Sequence, residues 1–315
     1  MTDTKQCLRS FFKLVVLAAC VYYLVHTAAK IDPAQFKIAY LWVAFACGFL
    51  YFLCTFLMAY AWRWLVLLFH QDAVGFRALA PVYFRSALAK YIPSNVMHYA
   101  ARHYLCGRFG ISHKIVLISN VLEITVIIMA AVVIVGSFLM YDPGLLPEAI
   151  AHYRPLLRSL IAVAVGGITA GLVIVIRKKA IAVQPSGAAI IKTVLAVFCF
   201  YLLFLLLSGT VLYALFRGMT VDAAMGSGIL VRVVFGYVCS WTLGFVTPGA
   251  PGGLGVREAA MTAILGPVLG SDIALLGALL FRFSTLLGEV LGYGFALYLE
   301  RRRPAPSRLS IDKTQ

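Results

Sequence analysis

Apolar runs close to the length of a membrane-spanning helix recur along most of the chain. A helix needs about 20 mostly apolar residues to cross a bilayer. Single runs lie at about 11–29, 38–61, 115–139, 156–176, 193–216 and 273–299. Residues 221–270 hold two further apolar segments. This pattern predicts an all-α, polytopic membrane helix bundle of about seven to eight apolar segments.

The composition agrees with a membrane protein and excludes most soluble classes. The chain of 315 residues is 62% hydrophobic and 12% charged, whereas soluble domains are roughly 45–50% apolar and about 25% charged. A soluble enzyme, a disordered regulator and a coiled coil are therefore excluded. Since little length remains outside the apolar runs, residues 1–303 are predicted to form a single transmembrane domain and residues 304–315 a short cytoplasmic tail.

Basic residues set the predicted orientation of the bundle. Lys5, Arg9 and Lys13 precede the first apolar run as in a signal peptide, but the run continues past Cys20 and favours an uncleaved span. With the N-terminus in the cytoplasm, most of the 27 lysine and arginine residues fall on the cytoplasmic side. The C-terminus then also lies in the cytoplasm. The formal net charge of +15 reflects this topology, and no nucleic-acid partner is predicted.

The spacing of cysteine and histidine residues does not indicate a metal site. The seven cysteines lie mostly inside apolar runs and form no CxxC pair, and the histidines show no zinc pattern. No cofactor is predicted. The sequence also shows no Ser-His-Asp order, no acidic metal cluster and no HExxH motif, so no catalytic residue is assigned and an enzyme is not expected.

The most informative segment interrupts the apolar sequence between residues 247 and 258. It reads Thr-Pro-Gly-Ala-Pro-Gly-Gly-Leu-Gly-Val-Arg-Glu and includes Gly252, Gly253, Arg257 and Glu258. Two prolines and four glycines break a helix, and a new helix is predicted to begin near Leu254. Broken backbone at membrane depth is tolerated where it lines a cavity, and a helix N-terminus suits an anion. The alternative is an ordinary turn outside the membrane.

A second interruption lies in residues 70–114, a mixed stretch predicted to be re-entrant or interfacial. Its apolar middle, residues 87–96, contains Lys90 and Pro93. Asn95, His98 and Arg102 would share one face of a following helix. Two interrupted segments in corresponding positions are typical of transporters built from inverted repeats, so an inverted repeat is possible here. The alternative for His98 is a polar residue near the lipid headgroups.

Several charged residues fall inside apolar segments, where charge is costly and usually functional. These candidates are Glu123, Arg232, Arg257, Glu258, Arg282 and Glu289. Arg282 and Glu289 are seven residues apart, too far for a pair within one helix, so each is expected to have a partner on another helix. The alternative is that buried ion pairs serve only to hold helices together.

The last apolar run carries small residues along one face. Gly277, Ser284, Gly288 and Gly292 recur at spacings of seven, four and four residues. Small residues let helices approach closely in a membrane. This stripe predicts close helix packing rather than a binding site.

The two interrupted segments, Lys90 to Tyr99 and Thr247 to Glu258, resemble the signature regions of the lysylphosphatidylglycerol synthase transmembrane-region family, also called the flippase-like domain family. The similarity covers nearly the whole chain in the order and spacing of segments. The first motif departs from the family pattern, with Ser94 and Met97 where Gly and Trp are expected. The resemblance implies an integral inner-membrane protein that handles lipids or lipid-linked sugars. Bifunctional members carry a cytosolic aminoacyl transferase domain, which a stand-alone member ending at Gln315 would lack.

These observations lead to a functional hypothesis with membrane lipids as partners. The protein is expected to be a lipid translocase or lipid-handling transporter for an anionic or lipid-linked substrate of the aminoacyl-phospholipid or polyprenyl-phosphate type. The headgroup would meet helix N-termini near Ser94 and Leu254, with Arg102 and Arg257 as counter-charges. One alternative is an accessory protein associated with cell-envelope biosynthesis enzymes, and another is a membrane-embedded lipid headgroup enzyme.

Overall fold

The computed structural model describes residues 37–70, 72, 74–91, 97–145, 166, 185–219, 228–247 and 250–302. Its secondary structure in these ranges consists of α-helices with short 3₁₀ turns and contains no strand. The helices are Ile38–Leu67 (α1), Phe76–Ala87 (α2), Met97–Cys106 (α3), His113–Tyr141 (α4), Gly187–Met219 (α5), Ile229–Val246 (α6), Val256–Leu269 (α7) and Ser271–Arg301 (α8). The all-α prediction is therefore confirmed, while the predicted spans at 11–29 and 156–176 lie outside the described residues.

Five of these helices, α1, α4, α5, α6 and α8, are long and apolar enough to cross a membrane. Most extend beyond the predicted apolar runs because a helix continues into the polar margin of the bilayer. The second apolar run ends at Trp62-Arg63-Trp64, an aromatic and basic cluster that predicts an anchor at the membrane interface. In the structure, Trp62 lies inside α1 and is completely buried. Its indole Nε1–H donates a hydrogen bond to Asn120 Oδ1 of α4 at 3.1 Å. The anchor interpretation of Trp62 is therefore wrong.

Contacts between the long helices define two ends of the bundle. Cys47 of α1 donates to the carbonyl of Val211 of α5, and Val43 lies beside Gly218, so α1 and α5 are antiparallel. Helix α8 runs parallel to α1, because Ser284 donates to the carbonyl of Ala44 and Gly288 lies against Gly48. We call the end where α1 and α8 begin the Ile38 end. The end where they finish, and where α2, α4 and α5 begin, is the Leu67 end.

The two interrupted segments form helical hairpins that enter the bundle from opposite ends. The first hairpin consists of α2, the 3₁₀ turn Leu88–Tyr91 and α3, and it begins and ends at the Leu67 end. Ser86 of α2 lies beside Arg102 of α3, and His103 of α3 lies beside His113 at the start of α4, so α3 returns toward the end at which α2 begins. The second hairpin consists of α6, the 3₁₀ turn Pro251–Gly253 and α7. It begins and ends at the Ile38 end, where α7 is followed directly by α8.

The tips of both hairpins meet near the middle of α8. The carbonyl of Gly252 accepts a hydrogen bond of 2.9 Å from Arg282 Nη1 of α8. A Cβ placed on Gly252 would lie 3.1 Å from the ring of Tyr91, at the tip of the first hairpin. Lys90 beside it pairs with Glu289 of α8. This junction of two broken helices and one continuous helix positions the candidate site.

The small-residue stripe of α8 provides the close packing that the sequence predicts. Gly277 lies against Phe216 of α5, Ser284 and Gly288 lie against α1, and Gly292 lies against Phe84 of α2. A Cβ on Gly288 would lie 2.8 Å from the carbonyl oxygen of Gly48. The stripe therefore sets how closely α8 approaches three neighbouring helices.

We expect Gly288→Ala to destabilise the folded protein by about 1–3 kcal/mol, the usual cost of forcing an extra carbon into a packed interior. The added carbon meets backbone oxygen, which cannot turn away as a side chain can. Thermal unfolding in detergent measures the effect. Gly294→Ala is the matched control, because a Cβ at Gly294 would meet no atom of the described residues within 4 Å. Equal unfolding temperatures for the two variants would contradict the close approach of α8 and α1.

Candidate functional site

A polar cavity lies where the two hairpin tips meet α8. It encloses about 840 Å³ of space free of protein atoms, part of it open to the exterior. Aromatic side chains from five helices form much of its wall, including Tyr51, Tyr83, Tyr99, Phe204 and Trp241. Its charged lining residues are Lys90, Arg102, Glu123, Arg257 and Glu289. The cavity thus combines an apolar wall with several converging charges, as ligand sites usually do.

The tip of the second hairpin requires glycine at three positions. Gly252, Gly253 and Gly255 have φ angles of 57°, 75° and 79°, a region that costs other residues strain. The N–H groups of Gly253 and Leu254 donate to carbonyls of Ala250 and Pro251. The N–H of Gly255 donates to Glu258 Oε2 at 2.6 Å. These three donors are therefore satisfied within the chain, and the helix that follows begins at Val256, close to the predicted start near Leu254.

Arg102 and Glu123 form a buried ion pair on one side of the cavity. Both side chains are at most 4% exposed, and Arg102 also donates to Asn120 and Ser86. The Arg102 guanidinium carbon lies 4.4 Å from the ring centre of Tyr83 and 4.9 Å from that of Trp62. Cation–π contacts of this kind stabilise a buried guanidinium. The charge of Arg102 is therefore already compensated.

Two more ion pairs join α8 to the hairpin tips. Glu289 pairs with Lys90 of the first hairpin. Arg282 Nε lies 3.6 Å from Glu258 Oε1 of the second hairpin and also holds the carbonyl of Gly252. Arg282 and Glu289 thus each have a partner on another element, as the sequence predicts.

Arg257 is the one cation of this cluster without an acidic partner among the described residues. The three carboxylates Glu123, Glu258 and Glu289 pair with Arg102, Arg282 and Lys90. Arg257 Nε is buried without a hydrogen bond to any described residue, and its guanidinium carbon lies 5.5 Å from the ring centre of Trp241. An unpaired cation in a buried setting is costly. The arrangement therefore suits an anion that enters the cavity from outside.

Two glycines make room for the side chain of Arg257. A Cβ on Gly244 of α6 would lie 2.4 Å from Arg257 Cγ, and a Cβ on Gly253 would lie 2.7 Å from Arg257 Nε. The arginine side chain therefore lies flat against the backbone of its own hairpin. From there it reaches the main cavity and also a smaller neighbouring one lined by Glu258 and Arg282.

His98 also lines the cavity, on the short helix α3. Burial, together with the nearby charges of Arg102 and Lys90, lowers the pKa of His98 well below its usual range. Its ring is therefore neutral at physiological pH, so a charge change at His98 near neutral pH is not expected. Its Nδ1 is buried without a hydrogen-bond partner among the described residues and remains available to a polar ligand.

The structure brings most predicted site residues together. His98, Arg102, Glu123, Gly252, Arg257 and Glu289 line the main cavity, Glu258 and Arg282 line the neighbouring one, and Gly253 lies beneath Arg257. Asn95 lies outside the described residues. Arg232 lies apart, at the Ile38 end near the start of α6, where its Nη2 is 3.6 Å from Asp142 Oδ2.

Sequence reasoning missed two important residues of the site. The basic-residue pattern alone would place Lys90 with the cytoplasmic lysines and arginines, but it pairs with Glu289 inside the bundle. Its position within the apolar stretch 87–96 was the available signal. Trp241, which lies under Arg257, carries no such signal because aromatic residues are common throughout the chain.

Comparison with known families agrees with the resemblance of the two interrupted segments. The sequence pattern of the family described as "Lysylphosphatidylglycerol synthase TM region" matches residues 10–292. A comparison with curated proteins gave no match. The matched range covers most of the chain and includes both hairpins and the whole charged cluster. The chain therefore belongs to the lysylphosphatidylglycerol synthase transmembrane-region family.

Proposed function

We propose that this protein moves an anionic, phosphate-bearing lipid headgroup across the membrane, with Arg257 as its binding partner. Arg257 lines the cavity and has no acidic partner among the described residues, and this observation carries the proposal. An anionic headgroup would supply the negative charge that no described residue provides. Arginine suits phosphate because its planar fork donates two parallel hydrogen bonds.

The two hairpins support translocation as the form of lipid handling. They enter from opposite ends and meet at the cavity, so each could separate the cavity from one side of the membrane. Transporters commonly place substrate sites where broken helices meet near the membrane middle. The headgroup would occupy the polar cavity while its acyl chains stay in the surrounding lipid.

Purified protein in liposomes tests this proposal. The liposomes would contain a trace of fluorescent phosphatidylglycerol, and dithionite added outside would bleach the exposed label. We expect bleaching of the inner-leaflet label to proceed faster than in empty liposomes, and faster than with labelled zwitterionic phosphatidylcholine. Chemically unchanged phosphatidylglycerol recovered afterwards would distinguish translocation from an enzyme acting on the headgroup. Bleaching no faster than in empty liposomes would instead favour an accessory role.

We further propose that the Leu67 end faces the cytoplasm in the cytoplasmic (inner) membrane. Described basic residues at the rim of the Leu67 end are Arg63, Arg77, Arg85, Arg108, Lys114, Lys192, Arg301 and Arg302, against Lys37, Arg217 and Arg232 at the Ile38 end. Cytoplasmic loops of membrane proteins are richer in Lys and Arg. The excess therefore supports a cytoplasmic Leu67 end, where α8 and the described part of the chain end. The span predicted at 11–29 would place the N-terminus on the same side.

Labelling of single cysteines in intact cells checks this orientation. In a variant from which the native cysteines have been removed, we expect Arg217→Cys to react with a membrane-impermeant maleimide. We expect Lys114→Cys to react only after the cells are opened. Both positions are exposed in the structure, so access through the protein does not limit either reaction. The reverse pattern would contradict the proposed orientation.

A further inference from the structure

The Lys90–Glu289 ion pair differs from the other two pairs of the site in how it is held. Arg102 is fixed by Glu123, Ser86, Asn120 and surrounding rings. Glu258 is held by both Arg282 and the N–H of Gly255. Glu289 has Lys90 as its partner through one oxygen, while its Oε2 is buried without a hydrogen bond from any described residue. Lysine is flexible and holds a partner less rigidly than arginine does.

Cations and hydroxyl groups, but no second carboxylate, surround Glu289 in the described part of the chain. The titratable and charged groups that face it come from both hairpin tips, from α8 itself and from α1 and α6. They are Lys90, Tyr91, Arg257, Arg282, Tyr51 and Tyr237. Of these, Lys90 is the group that neutralises Glu289 directly, since Arg282 is paired with Glu258.

From this arrangement we infer that Glu289 is a proton-binding site coupled to the anion site at Arg257. This inference rests on the proposed function. A phosphate bound to Arg257 would share the cavity with Lys90, and its negative charge would compete with Glu289 for the ammonium group. Once Lys90 turns to the phosphate, the carboxylate loses its counter-charge.

A carboxylate that loses its partner in this position takes up a proton. Glu289 is only 5% exposed, and a buried carboxylate without a direct partner is more costly than the neutral acid. A proton from water therefore forms an O–H bond with a carboxylate oxygen, and Oε2 is free to accept it. The protein gains one negative charge from the lipid and one positive charge from the proton. The phosphate then contacts both Arg257 and Lys90, while Glu289 is neutral and needs no counter-charge.

Linkage then requires that lipid affinity depends on pH. Because the complex holds a proton that the free protein lacks, lower pH favours binding and higher pH weakens it. The dissociation constant rises by about tenfold for each unit of pH in the range where one proton is taken up. Phosphatidylglycerol carries a phosphodiester that stays ionised at neutral pH, so the ligand itself does not contribute.

Isothermal titration calorimetry of the full-length protein in detergent tests the coupling. Short-chain dihexanoylphosphatidylglycerol is titrated in two buffers that differ in their heat of ionisation, which gives the number of protons taken up. We expect about one proton for each lipid bound. Glu289→Gln should bind the lipid with no proton uptake and with affinity independent of pH. Glu300→Gln, which removes a carboxylate paired with Arg85 at the Leu67 end, should keep the uptake.

The outcomes separate this inference from the function on which it rests. Lipid binding without proton uptake by the unaltered protein would overturn the role of Glu289 and leave the proposed function in place. That measurement needs no variant, so poor folding of Glu289→Gln does not affect it. No binding of an anionic lipid would overturn both.

Dimethyl phosphate, titrated in the same way, identifies the part of the ligand that is recognised. Binding of this free phosphodiester with proton uptake would support the inference and show that the phosphate group suffices. Proton uptake with the short-chain lipid but not with dimethyl phosphate would also support the inference, and it would show that the rest of the lipid is required.

Discussion

Arg257→Ala should abolish most lipid movement and leave the protein at least as stable as before. In the described residues this arginine forms no ion pair and donates no hydrogen bond, so its removal breaks little of the fold. A hydrogen bond to a charged partner contributes about 1.5–3 kcal/mol. Loss of the contact to phosphate should therefore slow the bleaching of inner-leaflet phosphatidylglycerol by about tenfold to a hundredfold.

Arg232→Ala is the matched control for this variant. Arg232 lies on the same hairpin, but it is half-exposed at the Ile38 end and pairs with Asp142. Its removal should leave the rate of lipid movement unchanged. Thermal unfolding of both variants in detergent shows whether any loss of transport comes from misfolding. Transport by Arg257→Ala at the rate of the unaltered protein would show that the anion binds elsewhere.

Glu123→Ala should have the largest effect on stability, with a loss of about 3–5 kcal/mol, the usual cost of removing one partner from a buried ion pair. Arg102 is 3% exposed and would keep its charge with no carboxylate beside it. The measurements are the yield of folded protein after extraction and its unfolding temperature. Exposed ion pairs usually contribute less than about 1 kcal/mol, so Glu300→Ala, at the partly exposed pair with Arg85, should change both values little.

A double substitution distinguishes loss of the pair from loss of packing. Arg102→Met combined with Glu123→Leu removes both charges and keeps most of the volume, so it should recover much of the stability. If the double variant is as unstable as Glu123→Ala, the ion pair is not the cause of the loss.

The sequence predicts the architecture well because apolar length and helix-breaking residues act locally. Long apolar runs located every described span, and the prolines and glycines at 247–255 located the tip of the second hairpin. The helix bounds differ by up to six residues at one end, as for α1, which ends at Leu67 instead of residue 61. Hydropathy detects the part of a helix that lies in lipid, whereas backbone hydrogen bonding continues beyond it.

The partners of the buried charges could not be predicted in the same way. Lys90 and Glu289 are 199 residues apart, and nothing in either local segment specifies the other. The same holds for Arg102 and Glu123, whose pairing depends on how α3 packs against α4. Trp62 shows the limit most clearly, since an aromatic and basic cluster at the end of an apolar run is equally typical of an interface and of a buried contact. Only tertiary packing decides between them.

The two glycines beneath Arg257, Gly244 and Gly253, contribute to the site although they have no functional group, because they leave room for the arginine side chain. Gly244 lies within a regular helix, so its backbone would accept alanine without strain. The space that a methyl group would fill is already occupied by the side chain of Arg257. Volume at residue 244 therefore controls where a charge thirteen residues later can reach. Replacing Gly244 with a larger uncharged residue would displace the side chain of Arg257. The variant should therefore lose anion binding, as a variant of Arg257 itself would.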